Sequence, residues 1–312
     1  MLVRRRGPSI EVWAPAKLNL LLEVGSKRAD GYHELVTLVT AIRLFDTLYF
    51  SADPTGQIEL DCHWSQPNGG ATSGISTNNK DDALGDLPQG SDNLAMKAVE
   101  RLRDETGCRN GARIRLVKRI PSSAGMGGAS SDAAAALVAA NECWGLKWSR
   151  DRLAALAAEL GSDVPFFLVA GTAVCRGRGE QVLPVEGVKP LSFVVVRPPV
   201  GLSTPLVYSE YRPAEKPSKL DSLIAGLKNG SPVEVGRCLV NDLEPVGRRL
   251  SPWIDRVRTE LEEQQCVGQQ MTGSGSACFG IGRNVKHTNR IAARLRGMNL
   301  GRVFTATTAA MH

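Results

Sequence analysis

The chain has 312 residues, of which 42% are hydrophobic and 22% are charged, so a substantial core is available and global disorder is excluded. Its length suits two domains better than one. The formal net charge of +6 favours an anionic partner, either nucleic acid or a phosphorylated small molecule, and does not distinguish between them.

The N-terminal part of the chain predicts a strand that leads into a turn. No apolar stretch follows the first basic residues, so no secretory signal is expected. Three leucines in the range 18–22 alternate with Lys17 and Asn19, which places the leucines on one face of a strand and the two polar residues on the other. An Asp-Gly pair then indicates a turn, with Tyr32 and His33 just beyond it.

The next elements are a mixture of strands and helices. Residues 37–51 predict a further strand, and the polar residues 65–91 predict a long surface loop or a partly disordered insertion. A helix is expected over residues 93–106, because apolar residues recur on one face. Residues 112–120, ARIRLVKRI, alternate as a strand that runs into a glycine-rich loop.

The second half of the chain continues this mixture. A helix is predicted over residues 130–141, and another over 149–161, with Ser149 as its N-cap and Gly161 at its end. Residues 191–199 predict a buried strand, and residues 252–264 predict an amphipathic helix. Strands and helices without strict alternation favour an α+β fold over a doubly wound one.

Cysteine and histidine positions argue against disulfides and a zinc site. The seven cysteines form no C-x-x-C pair, and an odd number fits no closed disulfide framework. They indicate a reducing, cytoplasmic location. The four histidines show no metal-ligand spacing, and the apolar run at Ala133–Ala140 is too short to span a bilayer. We therefore expect a cytoplasmic protein that uses neither a protein-held metal nor a membrane.

The glycine-rich loop PSSAGMGGASSDAAAAL, residues 121–137, is the strongest candidate for a binding site. Its glycines let the backbone come close to a ligand, and the helix after it offers unpaired N–H groups to an anion. Ser130 and Ser131 can offer hydroxyls to phosphate or Mg²⁺. The loop is neither a Walker A motif nor a dinucleotide fingerprint. A flexible turn before a core helix is the alternative.

Three further features each have two interpretations. Asp163, two residues before a proline, is either a helix N-cap or a base that accepts a proton from an alcohol. Lys17 is either a solvated strand residue or a group that orients the aspartate and the alcohol. Residues 271–282, MTGSGSACFGIG, form either a turn between buried strands or a segment that closes over a ligand.

Taken together, these segments resemble a known superfamily. PAKLNL at 15–20, the loop at 121–137 and TGSGSACFG at 272–280 resemble, in order, the three signature segments of the GHMP kinases. Further segments resemble the branch that acts on a cytidine-diphosphate-linked methylerythritol; they are RADGYHEL, SDNLAMKA, GSDVPFF, GRGEQVLP, STPLVY and NDLEPV. They are spread over most of the chain.

The resemblance implies two α+β lobes, residues 1–175 and 176–312, with the active site in the cleft between them. It implies ATP-dependent phosphorylation of a hydroxyl on the cytidine-diphosphate-linked substrate, with Lys17 and Asp163 as catalytic residues. Mg²⁺ would be held mainly by ATP phosphates. The implied ATP-binding residues are Pro121, Ser122, Ser123, Ala124, Gly125, Met126, Gly127, Gly128, Ala129, Ser130 and Ser131. The implied substrate-binding residues are Asn19, Tyr32, His33, Thr204 and Tyr208.

Some features depart from this pattern or favour another class. Ala129 stands where the family often has glycine, and Met126 where it often has leucine. The basic residues Arg4–Arg6 and a stripe of Lys286, Arg290 and Arg294 would suit a nucleic-acid binder, but no RNA-binding aromatic pattern accompanies them. A homoserine or mevalonate kinase and an inactive regulator are further alternatives. We expect a monomer or homodimer without a nucleic-acid partner.

Overall fold

The first of two sheets is built around two long antiparallel strands. A computed structural model describes residues 1–65, 84–169, 171–213 and 217–309. The strands of the first sheet are β1 (Leu2–Arg6), β2 (Ser9–Lys27), β3 (His33–Asp53), β4 (Ile58–Trp64), β5 (Gly111–Lys118), β6 (Thr172–Gly177), β7 (Gln181–Pro184) and β9 (Val240–Asn241). Its main order is β1-β2-β3-β5-β4, β6 and β7 extend from β3, and β9 runs parallel to β2.

The second sheet lies in the C-terminal half of the chain and is fully antiparallel, in the order β10-β11-β8-β12. Its strands are β8 (Ser192–Arg197), β10 (Gln269–Met271), β11 (Cys278–Gly282) and β12 (Arg302–Thr307). Every residue of β8 is buried, which fits the apolar run Phe193–Val196 at its centre.

Ten helices cover the sheets in the described part of the chain. They are α1 (Leu94–Thr106), α2 (Gly128–Cys143), α3 (Arg150–Leu160), α4 (Val164–Val169), α5 (Thr204–Glu210), α6 (Leu220–Asn229), α7 (Pro232–Cys238), α8 (Glu244–Leu250), α9 (Pro252–Glu263) and α10 (Val285–Leu295). Helix α2 contacts β2, β3, α1 and α4, and all residues from Ser131 to Asn141 in it are buried. Its alanines let it approach these neighbours closely, which fixes the glycine-rich loop at its N-terminus.

The α+β class predicted from the sequence is confirmed, and the helices and strands that it predicted are present. Two caps are confirmed: Ser149 accepts a hydrogen bond from the N–H of Arg152 at 3.2 Å, and α3 ends before Gly161. The predicted start of α2 at Ser130 was wrong, because Gly127 is already the N-cap and the helix begins at Gly128. A left-handed glycine at this position turns the loop directly into the helix.

The predicted leucine face on β2 was partly wrong. A bulge between Asn19 and Leu21 shifts the register of β2 against β3, so strict alternation ends there. Leu18 and Leu20 belong to the core between the two sheets, whereas Leu22 packs with the C-terminal helices. Lys17 and Asn19 lie before the shift and face the cleft that is described below.

Other expectations concern boundaries and surfaces. Most of the predicted 65–91 insertion, namely residues 66–83, lies outside the described residues. The division predicted near residue 175 falls within β6 and stays a prediction. All seven cysteines are free thiols. In the residues described, no helix has both the length and the apolar character needed to cross a bilayer.

Candidate active site

One cleft of about 910 Å³ brings the predicted site residues together. Its lining includes both proposed catalytic residues, all five proposed substrate residues and the loop from Pro121 to Ser130. Ser131 does not line the cleft; it is fully buried in α2, and its Oγ has no hydrogen-bond partner among the described residues. Side chains that are far apart in sequence therefore share one solvent-accessible space.

Lys17 and Asp163 form the centre of the cleft. The ammonium of Lys17 lies 3.4 Å from Oδ2 of Asp163 and donates to Oδ1 of Asn19 at 2.6 Å. The Lys17 side chain is 5% exposed, whereas that of Asp163 is 43% exposed. A buried cation therefore holds a carboxylate whose other side is open to a ligand.

The surrounding backbone and amide groups keep Lys17 in place. Asn19 donates through Nδ2 to Oγ1 of Thr37 at 2.9 Å, which fixes the amide so that its oxygen faces Lys17. The backbone N–H of Asn19 donates to Oγ1 of Thr272 at 3.1 Å. Asp163 directly precedes α4, in whose first turn Pro165 lies, so the start of that helix positions the carboxylate. Asn19 thus orients Lys17 in addition to lining the cleft.

The glycine-rich loop turns its carbonyl groups toward the protein. The carbonyls of Ser123 and Ala124 accept from the N–H groups of residues 276 and 277 at 3.4 and 3.3 Å, and that of Met126 accepts from the N–H of Lys17 at 2.9 Å. The carbonyl of Gly125 accepts from Oγ1 of Thr272 at 3.3 Å.

In a trans peptide the next N–H points away from the carbonyl. The N–H groups of residues 124–127 are therefore directed to the other side, and the described part of the chain places no acceptor against them. Four adjacent N–H groups without protein acceptors, next to a helix N-terminus, form a site for an anion.

Two glycines make this loop geometry possible. Gly125 has a φ of +70°, and a Cβ there would lie 2.1 Å from the backbone oxygen of Thr272. Gly127 has a φ of +69°, and a Cβ there would lie 2.9 Å from the ring of Phe167 and 3.0 Å from Cγ of Lys17. No other residue type fits either position without moving the loop. Met126, in contrast, is buried in the core between the sheets, so its side chain supports the loop from below.

A buried charge cluster below the loop was not predicted from the sequence. Lys118, the last residue of β5, donates to carboxylate oxygens of both Asp46 and Asp132. Asp46 also accepts from the N–H of Arg119 and, at 2.9 Å, from that of Ile120. The cluster therefore fixes the path of the chain from β5 into the loop.

Burial controls the ionisation of this cluster. It raises the pKa of the Asp132 carboxyl well above its usual range. Burial by itself would lower the pKa of Lys118, but the charges of Asp132 and Asp46 outweigh it and raise that pKa. In the sequence, only the positions of Lys118 and Asp132 on either side of the loop pointed to this cluster. Asp46 could not be recognised as a partner, because it lies 72 residues before Lys118.

The other end of the cleft is aromatic. The centre of the His33 ring lies 5.7 Å from the centre of the Tyr208 ring and 6.0 Å from that of the Tyr211 ring. Nδ1 of His33 lies 3.0 Å from the carbonyl oxygen of Gly25, so this nitrogen carries the proton and Nε2 is the acceptor of the neutral ring. Burial, followed by the charge of Asp163, raises the pKa of the Tyr208 hydroxyl, which therefore stays protonated. Thr204 pairs with Ser274 at 2.7 Å between their hydroxyl oxygens.

The cleft offers oxygen donors rather than a preformed metal cage. In the described residues, no group of three or more His, Cys, Asp or Glu side chains is placed to hold a metal ion. The half-buried Ser130 at the start of α2 and the open side of Asp163 are hard oxygen donors, the chemistry that Mg²⁺ prefers. These donors fit a metal ion that arrives bound to the phosphates of a nucleotide.

Comparison with known proteins identifies related families and folds. The model of the GHMP kinase N-terminal domain matches residues 93–171, and that of the GHMP kinase C-terminal region matches residues 223–299. A 4-diphosphocytidyl-2-C-methyl-D-erythritol kinase from Pelotomaculum thermopropionicum is 41% identical, with 92% of this chain and 94% of the relative covered. One from Shouchella clausii is 37% identical, with 91% and 89% covered.

Solved structures agree in fold. A crystal structure of a 4-(cytidine 5'-diphospho)-2C-methyl-D-erythritol kinase has a TM-score of 0.74 at 35% identity, with 95% of this chain and 98% of that chain covered. Homoserine kinase from Cytophaga hutchinsonii has a TM-score of 0.73 at 18% identity, with 99% and 97% covered. At that identity the second similarity shows the fold alone.

Proposed function

Because the chain belongs to the 4-diphosphocytidyl-2-C-methyl-D-erythritol kinase family of the GHMP kinases, we propose that it phosphorylates this compound at its 2-hydroxyl. As a member of that family it is an ATP-dependent small-molecule kinase. The products would be ADP and the 2-phosphate, an intermediate of non-mevalonate isoprenoid synthesis. The observation that carries the proposal is the Lys17–Asp163 pair in one cleft with the anion-binding loop and the His33–Tyr208 aromatic pair.

The chemical step is an in-line attack of the substrate hydroxyl on the γ-phosphorus. The new O–P bond forms as the bond from the γ-phosphorus to the bridging oxygen of ADP breaks. Asp163 accepts the hydroxyl proton on its open side, while Lys17 holds the carboxylate and stabilises negative charge on the attacking oxygen. Because Lys17 is buried and fixed by Asn19, this arrangement exists before the substrate binds.

The loop supplies the binding site for the ATP phosphates. The N–H groups of residues 124–127 and the start of α2 would donate to phosphate oxygens. Mg²⁺ would neutralise charge on the phosphates and would be held mainly by ATP, and Ser130 and the open side of Asp163 could add oxygen donors from the protein. Ser131 is too buried to take part directly.

The aromatic end of the cleft would recognise cytosine. The ring of Tyr208 offers a flat surface for stacking, and Nε2 of His33 can accept a hydrogen bond from the 4-amino group of the base. Thr204 lies one turn before Tyr208 in α5 and also lines the cleft, where its hydroxyl would meet the methylerythritol end. Mevalonate and homoserine contain no base, so this end of the cleft favours the cytidine substrate over theirs.

Initial rates of ADP release test the proposal directly. ATP and Mg²⁺ are supplied without an acceptor, and then with 4-diphosphocytidyl-2-C-methyl-D-erythritol, mevalonate or homoserine. We expect strong stimulation by the cytidine compound and none by the other two. Stimulation by mevalonate or homoserine would overturn the proposed identity of the substrate but leave the proposed mechanism intact. A folded protein that binds ATP but responds to none of them would overturn the proposed activity.

A further inference from the structure

We propose that Arg178 binds the diphosphate of the cytidine substrate and so determines the preference for a nucleoside diphosphate over a nucleoside. This inference rests on the proposed function and assigns a role to a residue outside the three signature segments. Arg178 lies in the turn between β6 and β7, and its side chain lines the cleft.

The turn that carries Arg178 is held in one conformation. The carboxylate of Glu180 accepts a hydrogen bond from the N–H of Arg178 at 2.8 Å, and the N–H of Gly179 donates to the carbonyl of Arg176 at 3.0 Å. These bonds close the turn on itself. The base of the Arg178 side chain is therefore fixed, and less conformational freedom is lost when it binds a ligand.

The guanidinium group of Arg178 is oriented but not neutralised. Its central carbon lies 5.2 Å from the centre of the Tyr32 ring, and one terminal nitrogen donates to the carbonyl oxygen of Ala158 at 2.5 Å. In the described residues, no carboxylate forms an ion pair with it. The nearby Asp30 is engaged by the Arg28 side chain and by the N–H of Tyr32. Most of the five donors of the guanidinium group remain available for an anion.

The other cations of the cleft are less suited to this role. Four basic side chains line it in the described part of the chain: Lys17, Lys27, Lys118 and Arg178. Lys17 is engaged with Asn19 and Asp163, and Lys118 is engaged with two aspartates. Lys27 is exposed at the end of β2 and so keeps its hydration. A half-buried arginine can bind two phosphate oxygens at once through its planar group.

The position of Arg178 matches the place of the diphosphate within the substrate. The diphosphate links the cytidine, which the His33 end of the cleft would bind, to the polyol whose hydroxyl meets Asp163. Arg178 lies against Tyr32, the neighbour of His33. Gly179, the residue after Arg178, lies close to the proposed catalytic base Asp163: a Cβ at Gly179 would lie 4.0 Å from Oδ1 of Asp163. Arg178 thus lies between the cytidine end of the cleft and the catalytic aspartate, where the diphosphate would be.

Binding of cytidine, CMP and CDP by calorimetry separates the base from the phosphates. The proteins compared are the wild type, Arg178→Gln, Arg178→Lys and the control Arg176→Gln, which removes an exposed arginine that does not line the cleft. We expect Arg178→Gln to bind cytidine as the wild type does but CDP about 10- to 100-fold more weakly. Arg178→Lys should recover part of the loss, and Arg176→Gln should show none. In the kinase assay, KM for the acceptor should rise while KM for ATP stays unchanged.

Each alternative result has a distinct meaning. An unchanged ratio of CDP to cytidine affinity in Arg178→Gln would overturn the role of Arg178, as would an equal loss in Arg176→Gln. A rise in KM for ATP instead of the acceptor would assign Arg178 to the ATP phosphates and overturn the proposal. If the wild type itself binds CDP no better than cytidine, and the cytidine substrate does not stimulate ADP release, the proposed function fails. Thermal unfolding of each variant checks that it is folded.

Discussion

Replacing Asp163 with asparagine separates catalysis from binding and stability. Asparagine keeps the shape of the side chain and an oxygen for Lys17, but it cannot accept the hydroxyl proton. Loss of a general base costs about 10²- to 10⁴-fold in rate. We therefore expect kcat to fall by at least about 100-fold, with ATP affinity nearly unchanged.

The structure also sets the expected effect on stability. The Asp163 side chain is 43% exposed, so its pairing with Lys17 is screened by solvent. Such an ion pair contributes at most about 1 kcal/mol, which corresponds to roughly 1.5 °C in Tm for a chain of 312 residues. Tm should therefore fall by no more than about 2 °C. A large loss of rate with a small change in Tm is the signature of a catalytic role.

Initial rates of ADP release at saturating ATP and acceptor give kcat, calorimetry gives the ATP affinity and thermal unfolding gives Tm. Asp151→Asn is the matched control, because it removes an exposed carboxylate from the start of α3, outside the cleft. Near-normal turnover by Asp163→Asn would exclude Asp163 as the base. A collapse of Tm would show that the residue is mainly a structural N-cap.

Three further predictions concern the loop, the cytosine site and the buried cluster. Gly125→Ala should raise KM for ATP by roughly 100-fold, because its Cβ cannot coexist with the Thr272 oxygen; Gly145→Ala, with a similar φ but open space around it, is the control in the same kinetic assay. Tyr208→Ala should raise KM for the acceptor by about tenfold or more through lost stacking, whereas Tyr208→Phe should not; equal effects of both would exclude stacking. Burial raises the pKa of Asp132, so the folded chain holds this proton more tightly than the unfolded chain, and stability falls as the pH rises above the usual range of an aspartate. Asp132→Asn has no such proton to lose, so in denaturant unfolding its stability relative to the wild type should rise as the pH increases above the usual range of an aspartate, and a difference independent of pH would contradict this.

Local sequence signals predicted the elements whose ends depend on neighbouring residues. Asn93 accepts a hydrogen bond from the N–H of Ala95 at 3.0 Å and caps α1, where the sequence placed the start of a helix. Ser149 caps α3 in the same way. Such bonds join residues two or three positions apart, so a short window contains all the information. The glycine-rich loop was recognisable for the same reason.

Contacts between distant residues could not be predicted in this way. The register shift in β2 depends on its pairing with β3, and it redirects Leu22 to another core. The engagement of Lys118 by Asp46 requires that β3 and β5 be neighbours, which no local pattern indicates. Arg178 meets Tyr32 only because the β2–β3 and β6–β7 turns reach the same end of the cleft. Each of these features is set by the packing of the whole chain.

The anion-binding loop depends on both halves of the chain at once. On one side Lys17 fixes the carbonyl of Met126, and on the other the residues 272–277 fix the three preceding carbonyls. The N–H of Ser122 is held by the carbonyl of Leu84, at the exit of the polar insertion. The N–H groups face the cleft because the carbonyls are bound elsewhere. The third signature segment thus positions the loop's backbone, and a change at residue 276 or 277, neither of which lines the cleft, should weaken ATP binding.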